Sequence, residues 1–220
     1  YWRKEIFPYY KYARAANKLS KPWMARFGEF IKELRDDFSE VLPYQMVMAP
    51  RAEADDVMAV ISNKYGIFKG EGEKILIISA DKDLSQQQKY MNVFQYDPIR
   101  KKMIVVRNPA AKLREHILQG DRGDGVPIFL SDDDCFVTGS PQKPIQQEKL
   151  NNWIVAPETD FTSSGFIRNR NLIDFDYIPD TIKESIEEAL TAPVKGSHRK
   201  LTKYCIKHKL MQVYENVGEF

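Results

Sequence analysis

The chain has 220 residues, of which 43% are hydrophobic and 29% are charged, as is typical of a globular protein with one good core and a smaller subdomain. No apolar run is long enough to cross a bilayer. Two cysteines are too few for a disulfide framework or a zinc site, which favours a reducing compartment such as the cytoplasm. The net charge of +2 hides basic blocks at 1–26 and 195–209 on either side of a more acidic centre. This pattern suits a protein that holds a polyanion over an acidic site.

Aromatic and basic side chains are interleaved at the start of the chain, from Tyr1 to about Ala16. Aromatic rings stack on bases while cations follow phosphates, so the pattern fits single-stranded nucleic acid. It fits equally a helix whose aromatics pack on the protein body and whose charges face solvent. The basic candidates for a nucleic-acid interface here are Arg3, Lys4, Lys11 and Arg14. A basic helix predicted over 200–217 adds Lys200 and Lys203 to this interface.

Two helices are predicted before the first strong strand signal. Trp23–Leu42 is amphipathic at helical spacing, which predicts a core-facing helix without chemistry of its own. Its apolar stripe consists of Phe27, Phe30, Ile31, Leu34 and Phe38. A second helix is predicted over Pro50–Tyr65, after a short buried strand at Gln45–Met48.

The segment Ile75–Ile78 gives the clearest strand signal in the chain. Branched apolar residues follow one another there without alternation, as expected of a strand covered on both faces. With Gln45–Met48 and the helix between them, it forms a predicted right-handed βαβ unit. In such a unit the amino end of the helix and the carboxyl end of the next strand share one edge of the sheet, where ligands bind in α/β proteins.

Further elements follow this unit. Two strands, Val93–Tyr96 and Met103–Val106, are joined by turn residues and predict a hairpin. A helix is predicted from about Pro109 to Gln119. The acids within Leu172–Pro179 are interpreted as part of a structural joint, before a helix that Asp180 caps.

Carboxylates from three motifs fall where these elements share one sheet edge. They are Glu53, Asp55 and Asp56 at the second helix, Asp81 and Asp83 after the strand, and Asp121 and Asp124 in a glycine-rich loop. One acid at a helix start only complements the helix dipole, but three acids within four residues exceed that need. Carboxylates gathered at one edge repel unless a cation lies between them, so a hard divalent ion with oxygen ligands is predicted.

Mg²⁺ is the natural ion for such a site, with Mn²⁺ as a substitute, because neither His nor Cys falls in the acidic motifs. We therefore leave His116, His198 and His208 out of the site. Two ions about 4 Å apart activate a water and stabilise both oxygens of a phosphodiester displacement. Such a site needs no side-chain nucleophile.

Three motifs in this order resemble those of the structure-specific 5′-nuclease (flap endonuclease) family. They are Glu53-Ala-Asp-Asp56, Ser79-Ala-Asp-Lys-Asp83 and Gly120-Asp-Arg-Gly-Asp124. Within the family, the chain is most similar to the branch of the T-even bacteriophage ribonuclease H. That similarity is carried by Tyr1–Arg3, Tyr10–Arg14, Lys74–Ser79 and Leu172–Asp180, and it spans nearly the whole chain.

The resemblance implies an α/β fold, with a central mainly parallel sheet flanked by helices (PIN-like) and a smaller helical C-terminal subdomain. We place the nuclease core at 1–125, with the family's arch region at 1–20, and a DNA-binding subdomain at 126–220. The implied activity is Mg²⁺-dependent 5′-to-3′ removal of RNA primers and 5′ flaps during DNA replication. Lys11 and Arg14 would then engage the 5′ strand and scissile phosphate, and together with Asp81 they are the residues that we assign to catalysis.

The same resemblance implies flapped DNA and RNA–DNA hybrid as substrates. It also implies a single-strand DNA-binding protein and a sliding clamp as partners, a monomeric state, and the cytoplasm of a bacterial host. Two of the family's acidic ligands would precede Tyr1, so we expect this chain to correspond to the family's C-terminal two-thirds and to cleave slowly alone. Two alternatives stay open: another PIN-like Mg²⁺ ribonuclease, and a catalytically silent DNA-binding fragment.

Overall fold

The structure, a computed structural model, describes residues 1–14 and 22–220. In that part of the chain helices predominate and a small sheet lies among them. The α-helices are α1 (Arg3–Ile6), α2 (Pro22–Val41), α3 (Ala54–Tyr65), α4 (Pro109–Gln119), α5 (Cys135–Thr138), α6 (Gln147–Val155), α7 (Ser164–Ile173), α8 (Asp180–Thr191), α9 (His198–His208) and α10 (Met211–Glu215). The strands are β1 (Ile75–Ile78), β2 (Val93–Asp97) and β3 (Lys102–Ile104), and 3₁₀ helices cover Lys82–Lys89, Glu158–Asp160, Phe175–Tyr177 and Val217–Glu219. No helix in the described ranges is long and apolar enough to span a membrane.

The strands pair in the order β1-β2-β3. β1 and β2 are parallel, with Ile75 opposite Val93, and the connection between them contains the 3₁₀ helix Lys82–Lys89. β2 and β3 are antiparallel, with Asp97 opposite Lys102, so the predicted hairpin is confirmed. The sheet is therefore mixed, and the α/β fold with a helical C-terminal part is confirmed.

The first residues of the chain pack into two hydrophobic clusters that also contain residues of later helices. Trp2 is 2% exposed and belongs to a cluster that also contains Ile182 and Ile186 of α8. Phe7 and Tyr10 belong to a second cluster with residues of α4 and α7. A segment near residue 1 is thus held in place by helices more than 100 residues away in sequence, which brings its basic side chains next to the acidic motifs.

Two strand predictions need correction. Gln45–Met48 is not a strand; it is a connection without regular secondary structure that lies against α8, where the side-chain amide of Gln45 donates to the carbonyl of Ala189 at 3.0 Å. β1 forms as predicted but is covered on one face only, since Ile77 is buried while Leu76 and Ile78 are 55% and 64% exposed. A run of branched residues predicts a strand, but it does not show which of its faces is covered.

Three helix predictions also need correction. α2 forms, but the first half of its apolar stripe is exposed, and only its end packs on α9, where Phe38 meets Tyr204. α3 starts at Ala54 and not at Pro50, because Arg51 has a φ of 64° and cannot be helical. The last helix is divided into α9 and α10 at Lys209, which has a φ of 57°.

Candidate active site

The pair Asp81 and Asp83 follows directly after β1. Asp81 caps the 3₁₀ helix Lys82–Lys89, because its Oδ1 accepts a hydrogen bond of 3.0 Å from the backbone N–H of Asp83. Asp83 is more enclosed than Asp81, and its Oδ1 is buried without a hydrogen-bond partner. A buried carboxylate oxygen without a donor destabilises a protein unless a cation reaches it.

The pair Asp121 and Asp124 lies on the loop after α4. Gly120 ends that helix with a φ of 68°, and a Cβ there would lie 2.4 Å from the carbonyl oxygen of Pro127, so the turn requires glycine. The backbone N–H of Asp124 donates to Asp121 Oδ1 at 3.1 Å. Both carboxylates line the cleft that also contains Asp83.

Glu53, Asp55 and Asp56 stand at the amino end of α3 in different environments. Glu53 and Asp56 form a reciprocal capping box, in which the backbone N–H of Glu53 donates to Asp56 Oδ2 at 2.8 Å. Asp55 takes no part in the box and lines the same cleft as Asp83 and Asp121. Capping therefore explains two of the three acids locally, and Asp55 is the one that faces the cleft.

Acids from all three motifs meet in this single cleft. Its lining contains four carboxylates, the Tyr10 ring and an apolar wall from the end of α7 and the residues after it. The four are Asp55, Asp83, Asp121 and Asp124. Asp81 and Glu53 lie close enough for their charges to act on Asp55. The acids are side by side in space, and their role as metal ligands stays a prediction.

His116, which we left out of the site, lies beside two of the acids of the cleft. Its Nδ1 lies 3.4 Å from Asp83 Oδ1, and its Nε2 lies 3.1 Å from Asp121 Oδ2. One ligand atom from each of the three residues lies within 4.8 Å of the others, a spacing at which they could share an ion. A sequence signal existed: His116 is in the last turn of a helix that Gly120 ends, which places it beside the acidic loop.

Three cationic side chains lie against the acids of the cleft. Lys11 pairs with Glu53 and is 3.6 Å from Asp124 Oδ2. Arg14 Nη2 is 2.7 Å from Asp124 Oδ1, although more than half of the Arg14 side chain is exposed. Lys82 Nζ is 3.2 Å from Asp121 Oδ2. The basic residues that we assigned to catalysis are thus at the cleft, where they neutralise its acids.

Tyr10 lines the cleft, although it was not among the predicted site residues. Its hydroxyl lies 2.8 Å from Glu53 Oε2 and 2.9 Å from Asp124 Oδ2, so it connects two acidic motifs. Burial raises the pKa of the hydroxyl well above its usual range, and the charges of Asp124 and Glu53 add to this effect. Tyr10 therefore stays a neutral donor at physiological pH.

Two predicted site residues lie in the core and not in the cleft. Arg3 is 3% exposed, and its Nη2 is 2.7 Å from Asp56 Oδ1, while its Nε donates to the carbonyl of Leu172 at 2.8 Å. Asp56 is 0% exposed and also accepts from Trp2 Nε1 at 3.0 Å. We therefore withdraw Arg3 from the nucleic-acid interface and Asp56 from the metal ligands. Their charges stabilise each other away from solvent, which residue type alone could not reveal.

The other predicted nucleic-acid-binding residues are on the surface. Lys4, Lys200 and Lys203 are all exposed. Lys200 Nζ donates to the carbonyl of Lys195 at 2.9 Å, so it closes the turn before α9. Their contact with nucleic acid stays a prediction.

The crowding of acids has consequences for their protonation. Burial raises the pKa of Asp55 to about 6, with a further contribution from the charges of Asp81 and Glu53. Burial likewise raises the pKa of Asp83 to about 6, against the opposing effect of His116. The hydrogen bond from His116 holds the pKa of Asp121 well below its usual range. Without a cation, part of the cleft thus carries protons close to neutral pH.

The side chains present fit a hard divalent cation. A hard divalent cation needs several oxygen ligands around one position. The cleft supplies carboxylates from Asp55, Asp83, Asp121 and Asp124. Asp83 Oδ1 accepts no hydrogen bond, although His116 Nδ1 lies 3.4 Å away, so this oxygen is available to an ion. Three cationic side chains, Lys11, Arg14 and Lys82, lie against two of these acids, Asp121 and Asp124. The donor set therefore favours Mg²⁺ or Mn²⁺, with one imidazole that would suit Mn²⁺ better than Mg²⁺.

The raised pKa values predict how the stability of the metal-free protein depends on pH. Between about pH 4 and pH 6 the unfolded chain releases protons that folded Asp55 and Asp83 still hold, so their contribution to stability falls as pH rises. When both carboxylates are ionised, Mg²⁺ offsets the cost of burying their charges next to other acids. Thermal unfolding with EDTA and with excess Mg²⁺ should show a larger Mg²⁺-induced gain at pH 7.5 than at pH 5. A gain that does not change with pH would contradict this prediction.

Two protein-family models match the chain. The family described as "5'-3' exonuclease, N-terminal resolvase-like domain" matches residues 1–115, and "T4 RNase H, C terminal" matches residues 109–220. The Ribonuclease H of Enterobacteria phage T4 is 29% identical over 234 residues, which span 100% of this chain and 75% of that protein. The two matches meet at α4, the helix that carries His116 and leads into the acidic loop.

Solved structures from bacteriophage T5 share the fold. A T5 protein co-crystallised with metal ions has a TM-score of 0.55 and 18% identity, covering 85% of this chain and 80% of that one. T5 5′-exonuclease with bound zinc has a TM-score of 0.56 and 16% identity, covering 86% and 77%. The T5 flap endonuclease in complex with DNA and metal ions has a TM-score of 0.54 and 16% identity, covering 86% and 80%. Because the exonuclease model matches more than half of the residues and the T4 RNase H model matches the remainder, the chain belongs to the 5′-3′ exonuclease family, with a C-terminal part of the T4 RNase H type.

Proposed function

We propose that the protein is a Mg²⁺-dependent 5′-to-3′ nuclease that removes RNA primers and 5′ flaps during DNA replication, with two ions held in the cleft. One observation carries the proposal: acids from three separate motifs line a single cleft, and cations stand at its rim. The names of the relatives, a ribonuclease H and a flap endonuclease, support the substrate class.

The acids have distinct parts in this proposal. Asp55, Asp83, Asp121 and Asp124 hold the ions, because they line the cleft itself. Asp81 and Glu53 flank them, and Asp81 also fixes the turn that presents Asp83. When bound, Mg²⁺ activates a water and neutralises charge at the scissile phosphate. No Ser, Cys or Thr nucleophile is then required.

Lys11 and Arg14 bind and orient the phosphate of the 5′ strand. Both now pair with Glu53 or Asp124, so they can exchange an acidic partner for a phosphate once ions neutralise those acids. Arg14 offers planar donors that match a phosphate oxygen pair. The cavity lining that includes Tyr10, Leu172 and Phe175 limits the access of water beside the acids.

The substrate class is tested by cleavage assays in Mg²⁺ on three substrates. We expect cleavage of 5′-flapped DNA and of RNA–DNA hybrid, with little cleavage of single-stranded RNA. Cleavage of single-stranded RNA alone would instead identify a PIN-like ribonuclease. Tight binding of flapped DNA without any Mg²⁺-dependent cleavage would identify a DNA-binding protein that has no nuclease activity.

The proposed phosphate contacts of Lys11 and Arg14 predict how DNA binding depends on salt concentration. The double variant Lys11→Ala/Arg14→Ala should bind flapped DNA more weakly, and the slope of log K against log[salt] should become shallower by about 2. Binding is measured by fluorescence anisotropy at several salt concentrations in Ca²⁺. Lys64→Ala is the matched control, because Lys64 pairs with Glu187 at the surface, 3.4 Å away. A slope equal to the wild-type value in the double variant would show that neither residue meets a phosphate.

We extend the proposal to the setting of the enzyme. A nuclease of this type acts as a monomer in the cytoplasm of a bacterial host, together with a single-strand DNA-binding protein and a sliding clamp. This extension rests on the proposed removal of primers and flaps during DNA replication.

A further inference from the structure

Two buried carboxamides lie behind the acid-bearing loops. Gln95 on β2 and Asn169 on α7 are each 0% exposed. Each donates from one side-chain NH₂ group to two backbone carbonyls. We propose that Gln95 and Asn169 are positioning residues, which hold the turn of Asp81 and the loop of Asp121 in the geometry that divalent ions require. This inference rests on the proposed function of these acids as metal ligands.

Gln95 ties the first acidic motif to the sheet. Its Nε2 donates to the carbonyl of Ser79 at 3.0 Å and to the carbonyl of Asp81 at 2.6 Å. Both carbonyls belong to the turn in which the chain leaves β1, and Gln95 stands on the neighbouring strand, opposite Ile77. Gln95 therefore fixes the backbone of Asp81. The side chain of Asp81 in turn caps the 3₁₀ helix that contains Asp83.

Asn169 joins the two ends of the second acidic loop. Its Nδ2 donates to the carbonyl of Ile117 and to the carbonyl of Pro127, both at 2.8 Å. Ile117 is in the last turn of α4, where helix carbonyls lack partners within the helix. Pro127 lies just beyond the loop. Arg168 holds the amide in this orientation, because its Nε donates to Asn169 Oδ1 at 2.9 Å.

A positioning role differs from a purely structural one, because metal sites tolerate little displacement of their ligands. Groups that orient ligands typically change metal affinity by about 10- to 100-fold when they are removed. Gln95 and Asn169 are uncharged, so they orient the loops without competing with the ligands for a cation. The claim is therefore that loss of either amide lowers metal affinity beyond its effect on folding.

The structure supplies matched controls for this claim. Asn92 is a buried amide with the same bonding, since its Nδ2 donates to the carbonyls of Tyr65 and Glu73 at 3.0 and 2.7 Å. It lies before β2, at the opposite end of the strand from Asp97, and holds no acidic loop of the cleft. Gln87 is 0% exposed, and neither atom of its amide has a hydrogen-bond partner.

The experiment compares Asn169→Leu with Asn92→Leu and Gln95→Met with Gln87→Met, with Mn²⁺ as the probe. Mn²⁺ affinity is measured by electron paramagnetic resonance, and stability is measured by urea unfolding in EDTA. We expect stability to fall in both leucine variants. Mn²⁺ affinity should fall by about 10- to 100-fold in Asn169→Leu and Gln95→Met, and by less than about twofold in the two controls.

Milder variants keep the test decisive if loss of the amide prevents folding. Asn169→Gln and Gln95→Asn retain the amide and move it by one methylene, so they should fold and still lose Mn²⁺ affinity. Affinities within about twofold of wild type in folded variants would overturn the positioning role, as would an equal loss in Asn92→Leu. A wild-type protein that binds no Mn²⁺ would overturn the proposed function together with this inference, so the two failures are distinguishable.

Discussion

Replacing Asp83 with Asn is expected to slow Mg²⁺-dependent cleavage of flapped DNA by about 10³-fold, because a cleft carboxylate that we propose as a metal ligand is lost. The same substitution should stabilise the metal-free protein at pH 7.5. Burial, and then the charges of Asp81 and Asp121, raise the pKa of Asp83 to about 6, and an amide at this position carries no charge to be buried or repelled. We expect a gain of about 1–2 kcal/mol in the free energy of unfolding, allowing for solvent screening in a partly open cleft.

The opposite signs of these two effects make the experiment specific. Single-turnover cleavage gives the rate, and urea unfolding in EDTA gives the stability. Asp132→Asn is the matched control, because Asp132 is an exposed acid that pairs with Lys143 outside the cleft. A variant of Asp83 that cleaves at the wild-type rate, or that loses stability in EDTA, would show that this carboxylate has a structural role.

Removal of the Arg3 guanidinium is expected to have the largest effect on stability. Arg3→Ala leaves Asp56 buried at 0% exposure without its charge partner, and it also removes donors from Glu53 and from the carbonyl of Leu172. Loss of one partner of a buried ion pair typically lowers the free energy of unfolding by about 3–5 kcal/mol. Because Asp56 and Glu53 cap α3, the amino end that presents Asp55 should loosen as well.

The control for this prediction is an ion pair at the surface. Arg35→Ala removes a contact of 2.9 Å with Asp36, in which both side chains are about half exposed, and should change stability by less than about 1 kcal/mol. Urea unfolding compares the two variants at the same pH. If Arg3→Ala were as mild as Arg35→Ala, the buried ion pair would not organise the start of α3.

Local sequence patterns were sufficient to predict the elements that carry the site. β1, the hairpin of β2 and β3, and α4 form where a run of branched apolar residues, turn residues and helix signals predict them. The rule that strand ends and helix starts share an edge then predicted the meeting of Asp55 and Asp83, although Gln45–Met48, the first strand of the predicted βαβ unit, does not form. Each helix, strand or turn signal lies within a few neighbouring residues, so one sequence is enough to recognise it.

The errors arise where a partner lies far away in sequence. Arg3 reads as a nucleic-acid contact until Asp56, 53 residues later, is found to bury its charge. The exposed stripe of α2 cannot be recognised from its own periodicity, because periodicity does not say what covers a face. His116 was excluded because it lies outside the acidic motifs in sequence, although the turn at Gly120 brings it between Asp83 and Asp121.

Anomalous X-ray diffraction from crystals soaked in Mn²⁺ will show whether the cleft is a divalent-metal site. We expect anomalous peaks within coordination distance of Asp83 and Asp121, with a second position reached by Asp55 or Asp124. Peaks at other acids with none in the cleft, at a Mn²⁺ concentration that supports cleavage, would contradict it.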